Sequence, residues 1–459
     1  MVTYKADDWD DFQKDSGRFT GYNRMIAALG YFSSYDFEIM GEGVFNSGEI
    51  WLLSTSETAE RTIGMTDTDK MLIQDAAYRP GKEVFYADEL RIPDNIKVLG
   101  LGRSALSGME INKLILPACE IQVRCYSSSD STLNDAHIKE LVIDGDIHLE
   151  HQMFQGNVYL ESVTFNCDPD IDFSTFWDCP SLKNINISLD KDINGQAFYG
   201  CHQLMTINGE SPIRDDGSIK PEYLDFIKRN FNNADGIGFI DKYTEYCVKK
   251  TVSETVTEDM PDIVKVKALH DKLCSMVSYD FDDIQALKNH VDSSVFLNET
   301  SVCEGYAKGL NLLLHEAGVP SCYVNTGEHA WVIVKVGNHY FHVDPTWDDG
   351  DEINYNWFMK SDSQFENKEF HSDWKLKLPS EMHRFQWETL PKCSDIMGDI
   401  DGNKNVDARD ATAILTSYAS ASAGGKELAD SVLADYNFDG IVDVRDASAV
   451  LAYYTGASV

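Results

Sequence analysis

The chain has 459 residues, a length that allows about three domains. Its formal net charge of −37 argues against nucleic acid or an anionic membrane as a partner and fits a soluble secreted protein. No apolar run approaches the roughly 18 residues of a membrane span, so membrane insertion is not expected.

Residues 1–87 carry few signals, and their role is unclear from the sequence. The acidic and aromatic run at 8–12 fits either a capping element or part of a catalytic domain. Trp51 and the two leucines after it predict a buried strand. The first residues lack the apolar core of a signal peptide.

Residues 88–211 contain an internal repeat. Short apolar stretches begin at Ile111, Ile138, Leu160, Leu182 and Leu204, and the last four are 22 residues apart. A period of about 20 to 29 residues with one short strand in each unit is typical of a leucine-rich solenoid. The short sequence segment that begins at Ile92 and the one that ends at Cys201 resemble the leucine-rich repeats of bacterial surface proteins. We therefore expect an α/β solenoid that serves either as a spacer or as a face for protein or glycan contact.

One phenylalanine keeps the same period through this repeat. Phe154, Phe176 and Phe198 each stand six residues ahead of an apolar stretch. Because a solenoid buries an aromatic side chain in each turn, we expect all three in the core.

A cysteine, a histidine and an aspartate follow in three separate motifs. Cys303 stands in Val-Cys-Glu-Gly-Tyr, His329 in Glu-His-Ala-Trp and Asp344 in Val-Asp-Pro-Thr-Trp. Apolar residues at helical spacing follow Cys303, which predicts that this cysteine lies at or near a helix N-terminus. The helix dipole favours a thiolate there, and Gly305 is expected to leave room for a substrate carbonyl.

The residues after His329 predict a β-hairpin whose turn is Gly337-Asn338. This turn centre makes His329 and Asp344 diagonal neighbours on one face, within mutual reach. An imidazole oriented by a carboxylate can serve as base to a thiol and as acid to a leaving amine. His339 and His342 are alternative candidates for the base.

Together, the three motifs resemble the bacterial transglutaminase-like superfamily, which is built on a papain-like core. The resemblance covers residues 212–392 and includes a predicted helix from Asp262 to Tyr279. It implies an α+β domain in which Cys303 is the nucleophile, His329 the base and Asp344 the orienting acid, with no cofactor for catalysis. The Cys303 backbone N–H is the first candidate for the oxyanion donor, and Tyr279 and Trp331 are alternatives.

The superfamily contains both peptidases and cross-linking enzymes, so the motif does not fix the reaction. We expect a cysteine peptidase that acts on a protein or peptide substrate. A transglutaminase and a non-catalytic leucine-rich-repeat adaptor are the alternatives.

Residues 393–459 contain two acidic loops 36 residues apart. Their spacing repeats the oxygen-donor pattern of a twelve-residue calcium loop, and an apolar helix is predicted after each. Lys404 stands where the second loop has Gly440, and the cost of a left-handed non-glycine residue predicts weaker binding in the first loop. The candidate calcium ligands are Asp399, Asp401, Asn403, Asn405, Asp407 and Asp410 in the first loop, and Asp435, Asn437, Asp439, Ile441, Asp443 and Asp446 in the second.

Each loop closes with Asp and lacks an entering helix, and this combination resembles a type I dockerin, the small all-α module that attaches bacterial enzymes to cohesins. The resemblance implies two structural Ca²⁺ ions and a cohesin as partner. It also implies secretion into a cellulosome, with a signal segment removed. The implied cohesin contacts are Ala408, Arg409, Val444 and Arg445.

The ten cysteines show no disulfide-rich spacing, so most are expected to be reduced. The anaerobic habitat that a dockerin implies would keep Cys303 free.

Overall fold

A computed structural model describes residues 136–366, 390–424 and 431–456 continuously, together with His371 and, in the first 135 residues, the strands given below and a few isolated positions. The run at 8–12 and Cys125 lie outside these residues. The chain forms two compact units, Met1–Tyr243 and Thr244–Val459. None of the helices in the described part of the chain has the length and apolar character needed to cross a membrane.

Short strands dominate the first unit. They are β1 Phe37–Glu38, β2 Glu49–Thr55, β3 Thr62–Asp67, β4 Lys70–Ala76, β5 Phe85–Arg91, β6 Val98–Gly102, β7 Met109–Leu116, β8 Glu120–Arg124, β9 His137–Ile143, β10 His148–Leu149, β11 Ser162–Phe165, β12 Asp170–Ile171, β13 Asn184–Asn186 and β14 Thr206–Ile207. The expected strand at Trp51 is confirmed as part of β2, where the structure describes the backbone alone.

A seven-stranded parallel sheet runs through this unit in the order β1-β5-β7-β9-β11-β13-β14. From β9 to β14 along this sheet, residues that pair between neighbouring strands are 22 positions apart in the sequence. Val163, for example, pairs with Leu141 on one side and with Ile185 on the other. A second sheet has the order β3-β4-β2-β6-β8, in which only β3 and β4 are antiparallel.

The periodic phenylalanines form a buried stack behind the parallel sheet. Phe154, Phe176 and Phe198 have no exposed surface, and neighbouring rings are 5.3 Å apart between centroids. The expectation that they are core residues is confirmed. Phe231 continues the row, 6.1 Å from Phe198.

Helix α1, Pro221–Asn230, lies in the first unit, although the sequence placed it in the catalytic segment. The physical reason is that its last residue is tied to the repeat. The Asn230 side chain accepts a hydrogen bond from Ile193 N at 2.8 Å. Helix α2, Gly238–Thr255, follows α1.

The second unit mixes helices with a small antiparallel sheet, β17-β18-β19. Its elements are α3 Asp262–Met276, β15 Ser278–Tyr279, α4 Ser294–Leu297, β16 Thr300–Ser301, α5 Cys303–Glu316, β17 Ser321–Asn325, β18 Ala330–Val336, β19 His339–Val343, α6 Pro345–Asp348, α7 Asp362–Phe365, α8 Ala408–Ser422 and α9 Val444–Thr455. Helix α5 packs against α3 and against the sheet, and the enclosed core contains Leu269, Leu310 and Val332.

The segment after Lys392 is built into the core of this unit. Cys393 has no exposed surface and packs with Trp331 and Ile333. Met397, only 5% exposed, belongs to the larger core that α3 and α5 form. The predicted boundary at residue 392 therefore falls inside packed structure.

Candidate active site

Cys303 is the first residue of helix α5, which confirms the predicted helix start. Val302 before it is extended, so the chain enters the helix at the cysteine. The first N–H groups of a helix have no partner within the helix and carry partial positive charge. The half-buried thiol therefore lies beside the N–H groups at the start of this helix.

Gly305 serves packing rather than substrate access, so that expectation was wrong. A Cβ added at this position would collide with the hydroxyl oxygens of Ser294 and Ser301. These hydroxyls are buried and lie 2.9 Å from each other, and Ser301 also donates to the Asn289 carbonyl. The glycine lets the first turn of α5 rest on this hydrogen-bonded group.

The predicted hairpin is confirmed, with β18 and β19 joined at Gly337-Asn338. Val332 pairs with Val343, which is the predicted register. His329 stands directly before β18, and Asp344 directly after β19. The His329 backbone is fixed by Thr326, whose N–H donates to the His329 carbonyl at 2.9 Å.

His329 and Asp344 form a buried hydrogen-bonded pair. Nε2 of His329 lies 2.6 Å from Oδ2 of Asp344, and the side chains are 5% and 0% exposed. Burial alone would lower the pKa of His329, but the Asp344 carboxylate outweighs it and raises that pKa to about 10. Burial acts in the opposite sense on Asp344, yet the imidazole holds the pKa of this carboxyl below its usual range.

Asp344 also caps helix α6. Its Oδ1 accepts hydrogen bonds from the backbone N–H groups of Thr346 at 3.1 Å and Trp347 at 3.3 Å. Because Nε2 of His329 faces this carboxylate, Nδ1 is the ring nitrogen left for the thiol of Cys303, which lines the same cleft as His329. The structure thus brings the three predicted residues together.

His371 joins the same carboxylate, a contact that the sequence did not predict. Its Nε2 lies 2.9 Å from Oδ2 of Asp344, and neither side chain is exposed. No local motif marks this histidine, which stands 27 residues beyond the aspartate. Only the folded chain reveals the contact.

The alternative bases have other partners. His342 is fully buried, with Nδ1 accepting from Trp331 Nε1 and Nε2 lying 3.0 Å from Asp362. His339 bonds to Asp395 at 2.8 Å. The bond from Trp331 to His342 also removes Trp331 as an oxyanion donor.

A cleft of about 760 Å³ opens beside Cys303 and His329. Its aromatic walls include Tyr279, Phe281 and Trp347, and burial raises the pKa of Tyr279, so that its hydroxyl stays a donor. The acidic residues among its lining are Glu328, Asp349 and Asp351, whereas no lysine or arginine of the described chain lines it. The cleft therefore combines apolar stacking surface with negative charge.

The nine cysteines in the described part of the chain are free thiols, as the sequence predicts for most of them. Burial raises the pKa of Cys119 to about 12 and that of Cys322 to about 11. Burial also raises the pKa of Cys274, which lines the cleft. These thiols stay protonated at neutral pH, which suits a structural role.

Among the residues that the structure describes, three groups of side chains have the spacing of metal ligands, with donor atoms within 4.8 Å of one another. They are His329, Asp344 and His371; His342, Asp362 and Cys393; and Asp399, Asp401 and Asp410. In the first group both histidine Nε2 atoms already bond to Asp344, and in the second His342 already bonds to Asp362. The third group is the first predicted calcium loop.

The first acidic loop folds around buried carboxylates. Asp399 accepts from Lys404 N at 2.8 Å, and Asp410 accepts from Ile400 N at 2.8 Å. The side chains of Asn403 and Asn405 bond within the loop. Oxygen donors of this kind suit Ca²⁺.

The second loop has the same backbone pattern. Asp435 accepts from Gly440 N at 2.8 Å, Asp446 accepts from Asp443 N at 2.8 Å, and Asn437 bonds to Asp439 at 3.1 Å. Burial, assisted by the charge of Asp446, raises the pKa of Asp435 to about 6. A bound cation would relieve this repulsion. Ile441, 58% exposed, could offer only its backbone carbonyl.

Backbone strain does not distinguish the loops as the sequence suggested. Lys404 has φ +68° and Gly402 has φ +71° in the first loop. At the equivalent positions, Gly440 has φ +81° and Phe438 has φ +62°. Each loop therefore holds one left-handed non-glycine residue, and only the charge of Lys404 remains as a reason for weaker binding in the first loop.

The predicted cohesin contacts lie at the starts of helices α8 and α9, which begin at Ala408 and Val444. Asp407 and Asp443 cap these helices, and each also pairs with the arginine two residues later, Arg409 and Arg445. The arginine side chains are 65% and 56% exposed.

Residues 249–345, which contain Cys303, His329 and Asp344, match the family model of the Transglutaminase-like superfamily. A solved structure of a TGase is similar at 16% identity and a TM-score of 0.24, over 32% of this chain and 44% of that chain. A proposed cysteine protease from Cytophaga hutchinsonii is similar at 17% identity and a TM-score of 0.18, over 23% of this chain and 37% of that chain. This chain thus spans less than half of either protein, and no curated protein matches it. Within a mixed α/β chain, residues 249–345 are therefore similar to the Transglutaminase-like superfamily.

Proposed function

We propose that the second unit is a cysteine peptidase that forms a thioester acyl-enzyme at Cys303. The observation that carries this proposal is the arrangement in one open cleft of a thiol at a helix start and a histidine 2.6 Å from a buried carboxylate. Such an arrangement activates a thiol and orients the imidazole that takes its proton.

The chemistry follows from these contacts. His329 Nδ1 takes the thiol proton, and the Cys303 sulfur attacks the substrate carbonyl to form a tetrahedral intermediate. The Cys303 backbone N–H at the helix start stabilises the oxyanion. His329 then protonates the leaving amine, the C–N bond breaks, and water hydrolyses the thioester with His329 as base.

The second candidate is a transamidase, in which an amine takes the acyl group instead of water. The observation that favours it is the negative cleft, because Glu328, Asp349 and Asp351 would attract a lysine side chain. Hydrolysis remains the first candidate because the cleft is open, and water at about 55 M then competes with scarce amines.

The full-length protein with denatured casein tests the choice. New peptide amino termini that disappear in Cys303→Ala support the peptidase. Incorporation of a fluorescent primary amine without cleavage supports the transamidase. Neither activity in the wild-type chain would favour the third candidate, a non-catalytic adaptor.

We further propose that residues 88–211, in the first unit, form a leucine-rich-repeat solenoid. The parallel register of 22 residues and the buried phenylalanine stack support this interpretation. In an enzyme, such an array would bind or space the substrate. In the adaptor, it would be the functional face.

For the C-terminal segment we propose a type I dockerin that holds two Ca²⁺ ions and binds a cohesin through the starts of α8 and α9. The paired loops, each followed by a helix, support it. This proposal places the protein outside the cell, in a cellulosome. Loss of binding to a cohesin panel on adding EDTA is expected, and binding that survives EDTA would contradict it.

A further inference from the structure

Two imidazoles share one carboxylate oxygen in the proposed active site. Oδ2 of Asp344 lies 2.6 Å from Nε2 of His329 and 2.9 Å from Nε2 of His371. The three side chains are at most 5% exposed. Water therefore cannot replace either donor without opening the core.

The ring of His371 is held in an aromatic cage. Its centroid is 4.0 Å from Phe365, 4.7 Å from Trp357, 4.8 Å from Trp347 and 5.3 Å from Trp331. Contacts on this many sides fix the direction of its Nε2–H bond. A ring fixed in this way can fix the carboxylate that it contacts.

The two histidines differ in charge. Burial lowers the pKa of His371 despite the nearby Asp344 carboxylate, whereas the same carboxylate raises the pKa of His329. Among the described residues, Asp344 and His329 are the titratable groups that shift the pKa of His371. When environments push two pKa values apart, the groups take different roles. Here His329 is the proton carrier, and His371 is a neutral donor.

We propose that His371 is a positioning residue, whose Nε2–H bond holds the Asp344 carboxylate toward His329. This inference rests on the proposed function, because it gives His371 a part in the same acyl transfer. With Oδ1 tied to the start of α6 and Oδ2 tied to His371, the carboxylate cannot rotate as His329 gains and loses its proton. His371 thus keeps the base oriented without touching the substrate.

Two full-length variants separate this role from simple packing. His371→Phe keeps a ring in the cage but has no donor, and His371→Gln keeps an amide N–H close to the position of Nε2. The measurements are kcat and KM for hydrolysis, and the rate of Cys303 alkylation by iodoacetamide as a function of pH.

We expect His371→Phe to lower kcat by about 10- to 100-fold with little change in KM, since a hydrogen bond to a charged group is lost. Asp344 then acts more strongly on His329, so the basic limb of the alkylation profile moves up by about half to one pH unit. His371→Gln should restore most of both properties.

A His371→Phe variant with wild-type turnover and an unshifted profile would overturn the inference, as would a His371→Gln variant that folds but is equally impaired. If only His371→Phe fails to fold, the His371→Gln variant decides the question. Wild-type turnover in His371→Gln then supports the positioning role. If both fail to fold, His371 is a packing residue and the proposal is wrong. The proposed function fails separately, if alkylation of wild-type Cys303 is no faster than in His329→Ala.

Discussion

At the scale of single residues, Asp344 is held by four hydrogen bonds. It accepts bonds from two imidazoles and from two backbone N–H groups at the start of α6. A carboxylate bound in this way stays ionised and keeps the His329 ring oriented with Nε2 toward Asp344, which leaves Nδ1 for the thiol.

Replacing this carboxylate should separate reactivity from turnover. In Asp344→Asn, Cys303 should remain alkylatable, because the nucleophile and its helix are intact. Turnover should fall by up to about 10⁴-fold, because the amide orients His329 poorly. Steady-state kinetics and thiol labelling on the same preparation test this, and Cys303→Ala provides the background rate. Unchanged turnover would contradict the assigned role.

The two rival histidines should behave differently when removed. His329→Ala should abolish turnover with little effect on the fold, whereas His342→Ala should lower the melting temperature. The reason is that His342 is buried between Trp331 and Asp362, and its loss removes a buried hydrogen bond from each of them. Calorimetry and kinetics on the two variants test the assignment. A tolerated His329→Ala with an inactive, folded His342→Ala would reverse it.

The charged pair also predicts how reactivity depends on pH. Because Asp344 raises the pKa of His329 to about 10, the imidazolium persists through neutral pH and is lost as pH rises through that value. Alkylation of Cys303 relative to a model thiol should therefore be most enhanced below the model thiol's own pKa, and the enhancement should vanish near pH 10. An enhancement that already disappears near pH 6.5 would show that His329 is not perturbed.

The sequence was sufficient to predict that Cys303, His329 and Asp344 lie close together, because each stands in a local motif and the hairpin turn sets the register between two of them. It was insufficient for His371, whose partner is distant in sequence. It also misread Gly305, because the hydroxyls that require a glycine there come from two other segments. Local patterns predict local geometry, but packing partners depend on the whole fold.

At the scale of elements, the start of α5 depends on the space that Gly305 leaves. Gly305→Ala should cost about 1–3 kcal/mol, because the new methyl group overpacks the buried serine hydroxyls. Gly350→Ala is a matched control, since its added Cβ would meet an atom no closer than 3.5 Å. Melting curves that show a lower Tm only for the first variant are expected. Equal Tm values would contradict this account of α5.

The backbone strain of the two acidic loops could not be ranked from their sequences alone. The loop with Lys404 looked strained beside the one with Gly440, but Phe438 occupies a left-handed position in the second loop. The Phe438 ring packs on Phe358, with centroids 5.0 Å apart, and this contact offsets the cost of the left-handed backbone. A side chain that is costly for the loop thus packs the loop onto the core of the second unit.

At the scale of the whole molecule, the C-terminal segment is part of the second unit and not an appendage. Cys393 and Met397 lie in its cores, and a Cβ at Gly440 would meet Val264 on helix α3 at 2.9 Å. The sequence predicted two helices after acidic loops, and helices α8 and α9 confirm them. It could not predict their docking, because the apolar residues involved belong to no motif.

This docking predicts that the second unit does not tolerate removal of its C-terminal segment. A chain ending at Lys392 should melt at a lower temperature than the full chain and should show faster labelling of buried Cys274 and Cys322. The cause is the loss of the side chains of Cys393 and Met397 from packed cores. Thermal melts with thiol mapping by mass spectrometry test this. An unchanged Tm would mean that the packing contributes nothing.

The most direct test of the central claim is to trap the acyl-enzyme. The full-length protein is mixed with a peptide p-nitrophenyl ester, quenched in acid within milliseconds to seconds, and mapped by mass spectrometry. We expect a burst of p-nitrophenol and an acyl mass on Cys303 that is absent in Cys303→Ala and strongly reduced in His329→Ala. An acyl group on another residue, or an equal amount in the His329→Ala variant, would contradict it.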